Sequence, residues 1–299
     1  MPNVEICSIS DMDYKDTYFS VKQSIRCRGR LLDLSGPVVM GIMNLTPDSF
    51  YAGSRVDGET AVARRAEQIL SEGAAIIDIG AWSSRPGATE ISAQEEQARL
   101  APALAIIRRN HPDAILSLDT FRASTAVWAA ETYGVDIIND ISGGSMDSAM
   151  FATVARLGTP YILMHMQGTP QDMQKDPKYG DVVSDLLKFF NEKTAALRAL
   201  GVHDIIVDPG FGFGKTVEHN YALLDRLNLF RSQGYPVLAG LSRKSMIWRP
   251  LGITPEESLN GTTALNTLAL MKGASILRVH DVKEAVEVIR LTGQMQSPF

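Results

Sequence analysis

Eight short apolar stretches of this 299-residue chain end on residues that can donate, accept or carry charge: Asn44, Asp78, Asp119, Asn139 with Asp140, His165, Asp208, Ser242 with Lys244, and Arg278 with His280. Asp119 and Asp208 are carboxylates, which can accept two adjacent N–H groups side by side. Arg243, Lys244, Arg278 and His280 form a basic group late in the chain, suited to an anion such as a phosphate. The segment GLSRKS (240–245) reads as strand, polar turn and helix start, where backbone N–H groups favour negative charge. Blander roles compete at several positions. Asp78 and Asp140 serve equally well as satisfied structural or loop-capping carboxylates. His165 reads as structural rather than catalytic, and Trp82, Met164 and Phe213 suit core or loop packing. The glycine-rich VDPGFGFGKT (207–216) is neither a P-loop, because Pro209 stands where the first glycine is required, nor a dinucleotide fingerprint, because its spacing is GxGxG. Its glycines let the backbone turn sharply after Asp208 and carry Phe213 over a ligand.

The stretches that deliver these residues are short and β-branched, at 38–43, 74–79, 114–119, 135–140, 161–165, 205–208, 236–241 and 275–280. They are apolar on both faces, as strands of a helix-covered parallel sheet must be. Amphipathic segments lie between them. In the last, Val282, Ala285, Val286 and Ile289 share one face, with Asp281 placed to cap the start. Thr254-Pro255-Glu256-Glu257 predicts a capping box opening a helix that runs to Gly273. An open doubly wound sheet would gather its ligand contacts at one switch point. A closed barrel gathers all eight strand ends into one ring. Polar groups on every strand therefore favour a TIM (β/α)₈ barrel with a short N-terminal extension. The expected organisation is an arm over 1–30 and one barrel domain over 31–299, with a small hairpin within 21–36.

Lys and Arg total 29 against 34 Asp and Glu, a net charge of −5, so no broad nucleic-acid or anionic-membrane footprint is expected. The two cysteines, Cys7 and Cys27, supply neither a disulfide framework nor a metal-ligand spacing, and a reducing cytoplasm fits them. The N-terminus has early acids and no long apolar run, unlike a signal peptide, and no stretch approaches a membrane span.

Taken together, GIMNLTPDSF (41–50), SSRPGA (83–88), SLDT (117–120), IINDISGG (137–144), VDPGFGFGKT (207–216), GLSRKS (240–245) and LRVHDV (277–282) make the chain resemble the dihydropteroate synthase family over roughly residues 31–292. That family joins 6-hydroxymethyl-7,8-dihydropterin diphosphate to 4-aminobenzoate, giving 7,8-dihydropteroate and diphosphate. It uses Mg²⁺, is usually homodimeric and is the target of sulfonamides. The resemblance implies a pterin pocket of Asp119, Asn139, Met164, Asp208 and Lys244. It implies a diphosphate site of Asn44, Arg278 and His280, with Asn44 also on the metal. Ser84, Arg85, Phe213 and Ser245 would shape the 4-aminobenzoate site. Asp119, Lys244, Arg278 and His280 would carry the chemistry, a dissociative substitution in which Asp119 stabilises a pterin cation. The loops over 45–58 and 82–92 are expected to be mobile and to close over that cation to exclude water. Ala52 departs from the family, many of whose members carry an aspartate there; either another group such as Asp48 or Asp57 covers its role, or turnover is slower. Ser84 keeps the hydroxyl of a threonine common in the second loop. Two alternatives stand beside this one: a methyltetrahydrofolate-dependent methyltransferase, which needs no diphosphate site, and a pterin-binding paralogue with little turnover, to which Ala52 points.

Overall fold

Strands apolar on both faces need cover on both, and the chain provides helices outside and a hairpin beneath. The computed structural model describes residues 21–45, 55–82 and 91–296. The hairpin is β1 (Ser24–Cys27) and β2 (Arg30–Asp33), paired antiparallel. Arg28 (φ 46°) and Gly29 (φ 80°) turn it, both with the positive φ that a tight two-residue connection requires. The barrel strands are β3 (Val38–Asn44), β4 (Ile76–Gly80), β5 (Ile115–Asp119), β6 (Ile137–Asp140), β7 (Tyr161–Met164), β8 (Ile205–Asp208), β9 (Leu238–Ala239) and β10 (Ile276–Val279). They form one parallel sheet in the order β8-β7-β6-β5-β4-β3-β10-β9. A Val207–Val237 bridge closes the ring, with the Val207 N–H donating to Pro236 O at 3.0 Å. The fold is a TIM barrel. The seventh barrel strand is shorter than the expected 236–241, because Pro236 has no N–H to give a ladder.

Side chains two residues apart share a face of a strand. On the inner face Met40, Ile76, Ile137, Ile162, Ile206, Leu238 and Ile276 meet Ile25, Cys27, Leu32 and Leu34 of the hairpin, and this aliphatic cluster is the barrel floor. The hairpin thus straddles the boundary drawn at residue 30. From Ile25 onward its residues are built into the barrel's own core. Residues 1–20 of the expected arm lie outside the described residues. On the outer face Val39, Ile77, Leu116, Ile138, Tyr161, Ile205 and Leu277 join the helix-facing core.

The described helices are α1 (Arg55–Ser71), α2 (Ala93–Asn110), α3 (Ala123–Tyr133), α4 (Met150–Leu157), α5 (Val182–Ala199), α6 (Val217–Asp225), α7 (Asn228–Arg231), α8 (Ser245–Leu251), α9 (Leu259–Met271) and α10 (Val282–Gln296). The capping-box prediction needs correcting. Thr254 N–H donates to Glu257 Oε2 at 2.9 Å and Glu257 N–H to Thr254 Oγ1 at 3.4 Å, yet only a turn follows, and α9 starts at Leu259. Ser258 Oγ donates to Pro255 O at 2.6 Å, competing for a carbonyl that a continuous helix would use.

Candidate active site

Two residues beyond four of the floor residues, on the same inner face, the sequence turns polar. Ile76 is followed by Asp78, Ile137 by Asn139, Ile206 by Asp208, and Ile276 by Arg278 then His280. Asp119 follows Ile115 at twice that step. The barrel brings these groups together at the C-terminal ends of its strands, where barrel active sites lie. Arg278 is the hub. Its Nε donates to Asp78 Oδ2 at 2.7 Å, and one terminal nitrogen lies 2.6 Å from Asp78 Oδ2 and 2.8 Å from Asp119 Oδ2. Asn139 Nδ2 approaches both oxygens of Asp78, at 3.3 and 3.2 Å. Asp78 is fully buried, and burying a charge is costly unless it is paired. The role of Asp78 is to fix Arg278 and Asn139, a position that their separate sequence motifs did not reveal. Burial pushes the Asp119 carboxyl up to about 7, against the pull of Arg278 and with the help of Asp78. Burial works against the charge on Arg278 too, but Asp78 and Asp119 outweigh it and hold the guanidinium protonated.

Asp208 and Lys244 are a second group of charges, coupled through space. Asp208 ends β8, is buried, and accepts the Gly210 N–H at 2.7 Å. Burial raises its pKa, opposed by Lys244. Burial lowers Lys244 to about 8, opposed by Asp208. Lys244 Nζ donates to Phe211 O and lies 4.7 Å from the Phe213 ring centroid, so the glycine-rich loop after β8 wraps this lysine. Gly210 (φ +69°) must be glycine, since a Cβ there would sit 2.1 Å from His165 O. Met164, nearly buried, is the register partner of Asp208.

Lys215 stitches this loop to β7. Its buried Nζ donates to His165 O at 3.2 Å, Gly210 O at 3.0 Å and Phe213 O at 2.8 Å, and lies 3.1 Å from His165 Nδ1. Burial holds its pKa well below the usual lysine range. Burial and the neighbouring Lys215 push His165 down to about 3, so the ring is a neutral structural acceptor. Lys215 falls within VDPGFGFGKT (207–216), and the burial of a lysine leaves no trace in composition or spacing.

His280 follows β10. Its Nδ1 is 3.0 Å from Ser242 Oγ, its N–H donates to the same oxygen at 3.2 Å, and its carbonyl accepts from Arg65 at 2.8 Å. Burial and then Arg278 lower its pKa to about 4. Asn44 is exposed at the end of β3, opposite Gly80. Phe213 and Ser245, the first residue of α8, are both half-buried.

Two expected members leave the ring. Arg243 is held by Asp281 through a fork, Nε to Oδ2 at 3.0 Å and a terminal nitrogen to Oδ1 at 2.6 Å. Asp140 shares the outer face with Ile138. It accepts from Ser142 N–H and Oγ, each at 2.7 Å, from Gly144 N–H at 2.9 Å and from Tyr161 Oη at 2.7 Å, which makes it a loop organiser. Asp48, Ala52, Ser84 and Arg85, with most of the two loops expected to close, lie outside the described residues. Asp57 falls in α1, but its side chain is not described.

A family model described as "Pterin binding enzyme" matches residues 40–280. The chain is 44% identical over 266 residues to the dihydropteroate synthase of Escherichia coli K12, covering 88% of this chain and 93% of that relative. The Yersinia pestis dihydropteroate synthase with a sulfonamide drug complex superposes with a TM-score of 0.85 at 40% identity, covering 92% of this chain and 100% of that one. The Xanthomonas albilineans dihydropteroate synthase with 4-aminobenzoic acid gives a TM-score of 0.85 at 37% identity, covering 93% of this chain and 99% of that one.

Proposed function

The chain belongs to the dihydropteroate synthases, a family of pterin-binding transferases, and on that premise we propose that it condenses 6-hydroxymethyl-7,8-dihydropterin diphosphate with 4-aminobenzoate in folate biosynthesis. The observation that carries this assignment to the ring described above is its division into two groups of charge, Asp208 with Lys244, coupled through space, and Asp119 bonded to Arg278. The first suits a neutral heterocycle, the second an anion leaving a developing cation.

The pterin edge presents adjacent N–H donors, as a guanidinium does. Asp208 accepts them, Lys244 donates to the ring carbonyl, and Asn139 and Met164 complete the pocket. Arg278 and His280 hold the diphosphate. Its carbon–oxygen bond breaks first, the electron pair leaving with diphosphate, and Asp119 stabilises the positive charge spread over the pterin. The amine of 4-aminobenzoate then forms the carbon–nitrogen bond and loses a proton. Ser84, Arg85, Phe213 and Ser245 frame that second substrate, and sulfonamides, which share its shape, compete for the same place. Asn44 would offer one amide oxygen to Mg²⁺. No cluster of three carboxylate, histidine or cysteine ligands occurs among the described residues, and a hard cation met by one side-chain oxygen would take its other ligands from water and the diphosphate. Bound Mg²⁺ would supply neutralising charge to the leaving group.

The exposed apolar side chains of Leu268 and Met271 on α9 and of Leu291 and Met295 on α10 support a homodimer. No described helix is long and apolar enough to cross a membrane, which fits a cytoplasmic enzyme. The direct test supplies pterin diphosphate, 4-aminobenzoate and Mg²⁺ to purified protein and measures diphosphate and dihydropteroate together. Stoichiometric release of both is expected. Absence of product above background overturns the assignment.

A further inference from the structure

Ser242 lies beside the ring, and the proposed mechanism gives it no task. It is 5% exposed, and its hydroxyl has two contacts among the described residues, both with His280. The His280 backbone N–H donates to Ser242 Oγ at 3.2 Å, which occupies one of the two lone pairs of the hydroxyl oxygen. The other contact, 3.0 Å from Oγ to His280 Nδ1, can form in two ways. If Nδ1 carried the proton, Oγ would accept a second time. The hydroxyl hydrogen would then be left with no acceptor among the described residues, inside a buried site. A buried donor without a partner gives up its bond to water and gains nothing in return, which is destabilising. If Nδ1 is bare, the hydroxyl donates to it and every group is satisfied.

We propose that Ser242 is a positioning residue whose hydroxyl fixes His280 as the Nε2–H tautomer, so that the ring offers a hydrogen-bond donor to the diphosphate. This rests on the anion-binding role given to His280 under the proposed function. The fold holds both partners in place. Ser242 lies on the turn between β9 and α8, where Arg243 is forked to Asp281, the residue after His280. Arg65 pins the His280 carbonyl at 2.8 Å and reaches Ile42 O at 3.4 Å. Among the described residues, Nε2 is the one polar atom of the ring with no bond, and so the one left for a ligand. The opposite tautomer would turn a lone pair toward an anion. A neutral donor also suits the surroundings, since Arg278, Arg243 and Arg65 already supply positive charge and, after burial, act with it to keep the imidazole uncharged at neutral pH. A second-sphere partner that sets a histidine tautomer in this way is familiar from metal sites. Here it acts on an anion.

The test reads the ring directly. In protein labelled with ¹⁵N at histidine, long-range ¹H–¹⁵N spectra, with His280 assigned by the His280→Gln spectrum, should show a bare Nδ1 and a protonated Nε2. A protonated Nδ1 in the wild type overturns the proposal. Ser242→Ala should shift the ring toward the Nδ1–H form and weaken binding of inorganic diphosphate with Mg²⁺ by about tenfold to a hundredfold, the range for a lost hydrogen bond to a charged partner. Ser242→Thr, which keeps the hydroxyl, should restore both. Unchanged tautomer and affinity in Ser242→Ala overturn the positioning role. Should the serine variants not fold, the paired substitutions decide instead. His280→Gln places an amide N–H near the Nε2 position and should retain more diphosphate affinity than His280→Asn, whose amide lies near Nδ1; the reverse order overturns the proposal. If wild-type protein turned over no substrate, the synthase reading would fail, while the ring spectrum would still report the tautomer.

Discussion

The floor and the rim of this barrel are built on the same face of the same strands, one alternation apart, and they obey opposite rules. Ile76, Ile137, Ile206 and Ile276 need only bulk, and each contributes by leaving water, about 1.5–3 kcal/mol when fully buried. Two residues further, roughly 6.6 Å along each strand, Asp78, Asn139, Asp208 and Arg278 each depend on a named partner to remain charged or oriented. The floor is interchangeable chemistry in fixed geometry. The rim is fixed chemistry, and its geometry exists because the floor and the hairpin hold the strands.

The comparison breaks most sharply at Arg278. Arg278→Ala leaves Asp78 buried and Asp119 without its cation. The expected result is a loss of kcat/KM of about 10²–10³ or more, read in a steady-state diphosphate-release assay. A loss of only a few fold would mean that the rim does not work as a unit. Ile206→Ala should do the reverse. Denaturant titration should show a loss of about 2–5 kcal/mol in stability, with kcat/KM per folded molecule close to wild type. A large activity loss without a stability loss would erase the distinction between the two layers.

The smallest effect is a pH profile. In the proposed mechanism Asp119 is ionised when it stabilises the cation, and burial lifts its pKa from 3.8 to about 7, so activity should rise through pH about 7. In the same mechanism Lys244 donates as the protonated group, and burial lowers it to about 8, so activity should fall through pH about 8. Asp119→Asn should keep the falling limb and abolish the rising one; a rising limb that survives would assign it to another group. The folded-state pKa of Asp119 lies above its ordinary value. The stabilising contribution of its proton is therefore present below pH 3.8 and lost as the pH rises through about 7.

Much of this was legible in the sequence, because a parallel barrel repeats one simple instruction. Each strand is a short β-branched run, and each run ends on a polar residue, so the fold and the ring could be read from the pattern. The period-2 rule could have gone further. Counting from Ile137 places Asn139 inward and Asp140 outward, and only Asn139 joins the site. Three things did not show. The charge on Arg243 is spent on Asp281, a contact between loops 38 residues apart. Lys215 is buried, although its residue type suggests exposure. The centrality of Asp78 exists only once Arg278, 200 residues later, closes the ring beside it.

The closure of the sheet between β8 and β9 has one more consequence. Elsewhere the ring is joined by ladders; here it is joined by one bridge and the Val207–Pro236 bond. Above that joint, side chains take over. Lys244, beyond β9, donates to Phe211 O, beyond β8, and is electrostatically coupled to Asp208 at the end of β8. The barrel is a hoop fastened by a clasp, and the clasp is made of the groups that would grip the heterocycle. A molecule that bonds Asp208 and Lys244 together spans the joint and becomes part of the hoop. Ligand binding and the mechanical integrity of the barrel are then a single quantity, seen once as affinity and once as resistance to unfolding.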